Sequence, residues 1–219
     1  MPENKTGRRD LKKQRTRGAL TVAALRLVDE RGLDQVTVDE IAEAAGVSPR
    51  TFFNYFATKC EALVGDLFVD DSAGRERFLA VERSVPTLDA LLIALTPTFD
   101  AIQAERDFWL LRLRVLGDNP SLLTDLLGRS AATEQTLAAA IAERLGIAAD
   151  SAYALHTAAA VEAAIRVALM RWAAGDGTRP LSAFLHEAFT LLTTGLAHPY
   201  PCGSLAFDLD FPVADKEEA

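Results

Sequence analysis

An all-α protein, with a small three-helix head followed by a larger helical bundle, is what the sequence predicts. Three observations carry that expectation. The 219-residue chain is 49% hydrophobic and rich in Ala and Leu, without the clustered β-branched and aromatic runs that strands prefer. Its apolar residues recur at helical spacing in segment after segment. Helix start and stop signals fall unusually close together between Thr37 and Glu61.

Taken in order, residues 1–9 are polar and basic, contain Pro2 and Gly7, and read as a disordered arm. A helix follows over 10–31, with Leu20, Ala23, Ala24, Leu27 and Val28 on one face and Gly32 as its stop. Thr37 and Glu40 have capping-box spacing and open a short helix with Ile41 and Ala45 inward. Gly46 ends it. Ser48 then caps another helix with Pro49 at its first position, where the missing N–H is harmless, and this helix is expected to reach Tyr55 or Phe56. Thr58 and Glu61 repeat the capping-box spacing. A helix, a short glycine turn and a second helix form the helix-turn-helix arrangement.

The expected organisation is an arm at 1–9, a head at 10–57, a larger domain at 58–198 and a tail at 199–219. In that larger domain, 70–86 reads as a polar, charged stretch. Helices are expected over 87–104, 106–116, from the Pro120 region to 145, 149–174 and 181–197, with an extended tail behind them.

The net charge is −8, yet it is unevenly spread. Residues 1–60 hold 11 basic and 8 acidic side chains, whereas 61–219 hold 12 and 23. The first 17 residues alone carry seven basic and two acidic groups. That asymmetry suits a head that meets a polyanion and a body that does not. Cys60 and Cys202 lie far apart, the three histidines are scattered, and no metal-ligand spacing or cofactor motif appears. No apolar run reads as a membrane span, since Glu162, Arg166 and Arg171 interrupt the best candidate. No apolar stretch follows the basic N-terminus as in a signal peptide, so a soluble, cytoplasmic protein is expected.

In the second short helix, Phe52 and Phe56 share a face and should pack inward. Arg50, Thr51, Phe53, Asn54 and Tyr55 then lie outside or at the flanks. Arg50 can donate two hydrogen bonds to guanine, Phe53 can touch a thymine methyl, and Tyr55 can reach a base edge or phosphate. Thr37, Ser48, Pro49, Thr51 and Lys59 complete the expected DNA-contacting set, with Thr37, Thr51 and Lys59 as phosphate contacts that position the helix. The basic residues up to Arg17 can add phosphate or minor-groove contacts.

Between Val36 and Leu63 the chain resembles the TetR family of bacterial transcription regulators. The residues that carry the resemblance are Thr37, Ile41, Ala42, Ala45, Gly46, Val47, Ser48, Thr51, Phe56, Lys59 and Leu63. Phe53 stands where the family usually has Tyr, and Cys60 where it often has Glu. The resemblance implies a DNA-binding regulator, most simply a repressor and not an enzyme, that binds double-stranded DNA as a homodimer and is released by a small hydrophobic effector. It further implies a dimer made by the last two long helices, for which Val161, Ile165, Trp172, Phe184, Leu185, Ala188 and Leu192 are the candidates. Those faces can equally fill the core of one subunit. Phe99, Phe108, Trp109, Arg112 and His156 are the candidate effector contacts. A long-chain acyl-CoA and a drug-like compound are both open as effectors, with Arg112 and Arg114 available to an anionic head group. An all-helical enzyme or ligand-binding protein with an incidental helix-turn-helix stands as the alternative.

Overall fold

The computed structural model describes residues 5–64, 72–175 and 177–195, and the side chains of 5–11, 72 and 123–131 are outside the description. Within it every regular element is helical. The head comprises α1 (Lys5–Arg31), α2 (Val38–Ala44), α3 (Pro49–Phe53) and α4 (Lys59–Val64). The body comprises α5 (Ser72–Ala80), α6 (Thr87–Ala104), α7 (Arg106–Asp118), α8 (Leu123–Leu145), α9 (Ala152–Ala174) and α10 (Leu181–Thr194). Single 3-10 turns lie at Leu33–Gln35 and Pro120–Leu122.

Local chemistry accounts for most boundaries. Thr37 caps α2 in a complete box: its Oγ1 accepts from Glu40 N, and Glu40 Oε2 accepts from Thr37 N at 2.9 Å. Gly46, at φ +69°, makes the left-handed turn that lets Val47 N donate to Ala42 O. Ser48 caps α3 through Thr51 N, ahead of Pro49. At α4, Thr58 Oγ1 accepts from Glu61 N, but Glu61 reaches back to Ala57 N at 2.6 Å, one residue beyond the expected partner.

Several expectations need correction. Residues 5–9 are helical, not part of a disordered arm. Extending an existing helix requires no new nucleus, and this Lys/Arg-rich segment propagates it despite Gly7. Helix α3 ends at Phe53, although Tyr55 N and Phe56 N still donate to Phe52 O. The charged stretch after Asp70 holds α5, anchored by buried Phe78 and by Arg77, which donates to Ala94 O of α6. Helix α10 stops at Thr194 before Gly195, at φ +83°. Residues 1–4, residues 65–71 and the tail beyond Gly195 lie outside the described residues.

Helix α9 is, by length and composition, apolar enough to cross a membrane, contrary to the reading that its charges forbid one. Its packing explains the apolarity: it lies between α8 and α10, with Ala154, Ala158, Val161, Ile165 and Leu169 buried.

Two apolar cores result. The body core gathers Phe78, Leu91, Phe99, Ile141, Val161, Trp172 and Leu185, among others. The head core gathers Leu20, Leu25, Ile41, Phe52, Phe56 and Leu63. It also takes Val115, Leu116 and Leu122, which come from the end of α7 and the turn after it. The buried Arg144 guanidinium joins α8 to the end of α5, donating to the carbonyls of Phe78, Val81, Glu82 and Val85.

Candidate nucleic-acid interface and effector domain

Phe52 and Phe56 are buried beneath α3, with ring centroids 5.6 Å apart. Arg17 reinforces them from α1: its guanidinium lies 4.5 Å from the Phe56 ring centroid and donates to Tyr55 O at 3.1 Å. The inward face of α3 and the turn after it are thereby held. Charge alone groups Arg17 with the DNA-seeking arm, but it is half-buried against the turn after α3.

With that face fixed, Ser48, Pro49, Arg50, Phe53 and Asn54 are exposed, and Thr51 and Tyr55 are half-buried. Phe53 keeps 58% of its surface open, although its ring meets Phe52 edge-on. That ring surface is available for an apolar contact outside the monomer. The hydroxyls of Ser48 and Thr51 lie 2.9 Å apart, pre-oriented by the cap.

Two expected phosphate contacts are engaged internally. Thr37 Oγ1 donates to Glu40 Oε2 at 2.8 Å. Hydrogen bonds from the Thr37 backbone and hydroxyl, then from Arg31, hold the Glu40 carboxyl below its ordinary value. Lys59 Nζ donates to Leu33 O at 2.7 Å and to Val36 O at 3.0 Å. Its ammonium thus ties the start of α4 to the turn before α2, which the motif spacing gave no means of anticipating.

The body treats the candidate effector residues unequally. Phe99 is buried in the body core. Phe108 packs on the head core and Trp109 on the body core, so adjacent residues of α7 face different interiors. Arg112 is buried beside both rings and donates to Leu63 O and Val64 O at the end of α4. His156 is exposed, 2.7 Å from the Ala152 carbonyl, and is not brought together with the other four. Arg114 pairs with Asp29 of α1 through two bonds of 2.7 and 2.8 Å, so head and body are tied there rather than a ligand held. A cleft of about 430 Å³ opens between α1 and the α6–α7 corner, lined by Gly18, Val22, Ala104 and residues 105–108.

The dimer candidates lie mostly on the inward faces of α9 and α10. Val161, Ile165, Trp172, Phe184 and Leu185 are buried inside the monomer, and Ala188 and Leu192 pack against the same core. The large apolar side chains left exposed on α9 are Tyr153, Leu155, Val167 and Met170, and Tyr153, Val167 and Met170 lie away from the buried stripe. Both stripes of α9 have helical spacing and small or apolar residues, so periodicity alone could not choose between them.

The model of bacterial regulatory proteins of the tetR family matches residues 20–65, and that of the MftR C-terminal domain matches 85–197. The chain is 34% identical over 180 residues to the HTH-type transcriptional regulator TcmR of Streptomyces glaucescens, covering 77% of this chain and 78% of TcmR. The chain belongs to the TetR family. It is also 30% identical over 146 residues to MftR of Mycobacterium tuberculosis, covering 66% of this chain and 71% of MftR.

Solved structures show the same TetR fold. NalD, the secondary repressor of the MexAB-OprM efflux pump in Pseudomonas aeruginosa, superposes with a TM-score of 0.57 at 16% identity, covering 83% of this chain and 97% of NalD. The complex of SmeT with triclosan gives 0.55 at 16% identity, covering 85% and 99%. The head of this TetR-family chain is therefore a DNA-binding helix-turn-helix, and the protein is a transcriptional regulator.

Proposed function

We propose that the chain is a ligand-responsive repressor that binds a near-palindromic operator as a homodimer and lets go when a small hydrophobic effector enters the body. The observation that carries this reading is the exposure of Arg50, Phe53 and Asn54 on a helix locked from behind by Phe52, Phe56 and Arg17. One such helix reads only a few base pairs, so useful specificity calls for two copies on a two-fold site. The outward stripe of α9, centred on Tyr153, Val167 and Met170, supplies an apolar face for pairing. That NalD is a repressor and that SmeT forms a complex with triclosan support the repressor and effector parts of the reading. The effector class stays within acyl-CoA-like and drug-like molecules, and the protein acts in the cytoplasm, where its DNA is.

Contact between head and body supplies the lever. Arg112 grips the end of α4, and Arg114 grips α1, so a shift of α7 reaches the reading head directly. A ligand moves that equilibrium only by its different affinity for the two arrangements.

The test is fluorescence polarisation with a duplex from immediately upstream of the gene, alongside operators selected from random duplexes. Saturable, salt-dependent binding with two chains per site supports the proposal. Failure of the selection to enrich any sequence would overturn it.

A further inference from the structure

Helix α3 has only five residues, Pro49–Phe53, too few to hold its own geometry in water. Phe53 is its last residue, so the direction of that ring depends on whatever fixes the turn behind it. A chain of ring contacts reaches it from α1. The Arg17 guanidinium lies 4.5 Å from the Phe56 ring centroid. The Phe56 and Phe52 centroids are 5.6 Å apart, with the planes tilted by 45°. Phe52 meets Phe53 edge-on, with centroids 5.5 Å apart and planes at 84°. Phe56 and Phe52 are buried, whereas Phe53 is exposed. A half-buried cation on α1 is thus connected, ring by ring, to an open ring on the outer face of α3.

Arg17 fixes the backbone as well. It donates to Tyr55 O at 3.1 Å, and Tyr55 N and Phe56 N donate in turn to Phe52 O at 2.9 and 3.0 Å. A planar guanidinium can sit over a ring and donate from its edge at the same time. The compact, strongly hydrated ammonium of lysine offers no such geometry.

We infer that Arg17 is a positioning residue for DNA reading: through Phe56 and Phe52 it presets the exposed Phe53 ring, which reads the C5-methyl of one thymine in each half-site. Thymine is the fitting partner, because its methyl is the apolar group that base edges present in the major groove. Ordering a loose side chain on binding costs about as much as one buried methyl returns, so the contact discriminates only when the ring is already in place. The inference rests on the DNA-reading role of α3 proposed above and assigns within it a residue that acts from behind the helix.

The test uses the full-length protein and the duplex it enriches from a random pool. Each thymine of one half-site is replaced in turn by deoxyuridine, which lacks only the methyl, and affinity is read by fluorescence polarisation. The parent should lose roughly fourfold at one position, the worth of one buried methyl group. Phe53→Ala should abolish that penalty. Arg17→Lys and Arg17→Ala should both shrink it towards nothing while leaving the salt slope unaltered. Circular dichroism confirms that each variant is folded, and Arg17→Lys, the conservative change, decides the matter where Arg17→Ala is not. A thymine penalty that persists in Phe53→Ala or in Arg17→Lys would overturn the inference, as would a parent indifferent to every deoxyuridine. A shallower salt slope in Arg17→Ala with the penalty intact would make Arg17 a phosphate contact instead. A pool that enriches nothing removes the operator reading and this inference with it, whereas enrichment without a thymine penalty removes this inference alone.

Discussion

Arg50 and Lys59 both carry a full positive charge close to the reading helix, yet only Arg50 is exposed. Lys59 has two of its three ammonium N–H bonds directed at Leu33 O and Val36 O. Their substitutions should therefore behave differently. Arg50→Ala should weaken the best operator by roughly 1–3 kcal/mol and relax preference at one base pair per half-site, with little change on random duplex. Polarisation against both duplexes decides it; equal losses on the two would remove Arg50 from base reading. Lys59→Ala should lower stability by roughly 1.5–3 kcal/mol, as expected for lost charge-assisted hydrogen bonds, and leave the salt dependence of DNA binding unaltered. A shallower salt slope in that variant would show that its ammonium leaves the carbonyls for a phosphate.

Capping governs the head at the scale of single helices. The Glu40 carboxyl is held below its ordinary value of 4.5 by Thr37 and then Arg31. Because its folded value is the depressed one, its contribution is fully present above 4.5 and is lost as pH falls through the lower, folded value. Thr37→Ala should cost about 1 kcal/mol at neutral pH and flatten that acid dependence, as read from denaturation midpoints between neutral pH and about pH 3. An unaltered pH profile in the variant would count against the box as the source. These caps were legible in the sequence because they are local: Thr37, Glu40, Gly46, Ser48 and Pro49 act within a few residues of themselves. The internal engagement of Lys59 and Arg17 was not legible, since their partners lie 23 to 38 residues away in sequence. Helix α5 was hidden for a related reason: its single large buried residue, Phe78, makes no stripe, and its stability comes from α6 and α8.

Across the whole molecule, the decisive ambiguity was which side of α9 faces inward. One stripe, through Ala158, Val161, Ile165 and Trp172, fills the monomer. The other leaves Val167 and Met170 about half exposed or more. If the second stripe forms the dimer, Val167→Glu with Met170→Glu should raise the dimer dissociation constant at least a hundredfold, about 2.7 kcal/mol, without unfolding the chain. Sedimentation velocity over a concentration series would measure it. A dimer as tight as the parent's would move the interface to another face. The same packing explains why the effector residues were only partly legible: helical spacing places Phe99, Phe108 and Trp109 on faces, but only the packing of α7 between two cores decides which interior each ring enters.

The head core is completed by Val115, Leu116 and Leu122, all of which are supplied by the body. Those three side chains make the reading unit a borrower. Cutting the chain after α4 would strip its floor and leave apolar surface facing water. A graft of this head onto a foreign body would carry the exposed face of α3 but stand on the wrong foundation, unless positions 115, 116 and 122 travel with it. Recombination between relatives is constrained in the same way: the head and the far end of α7 must change together or not at all.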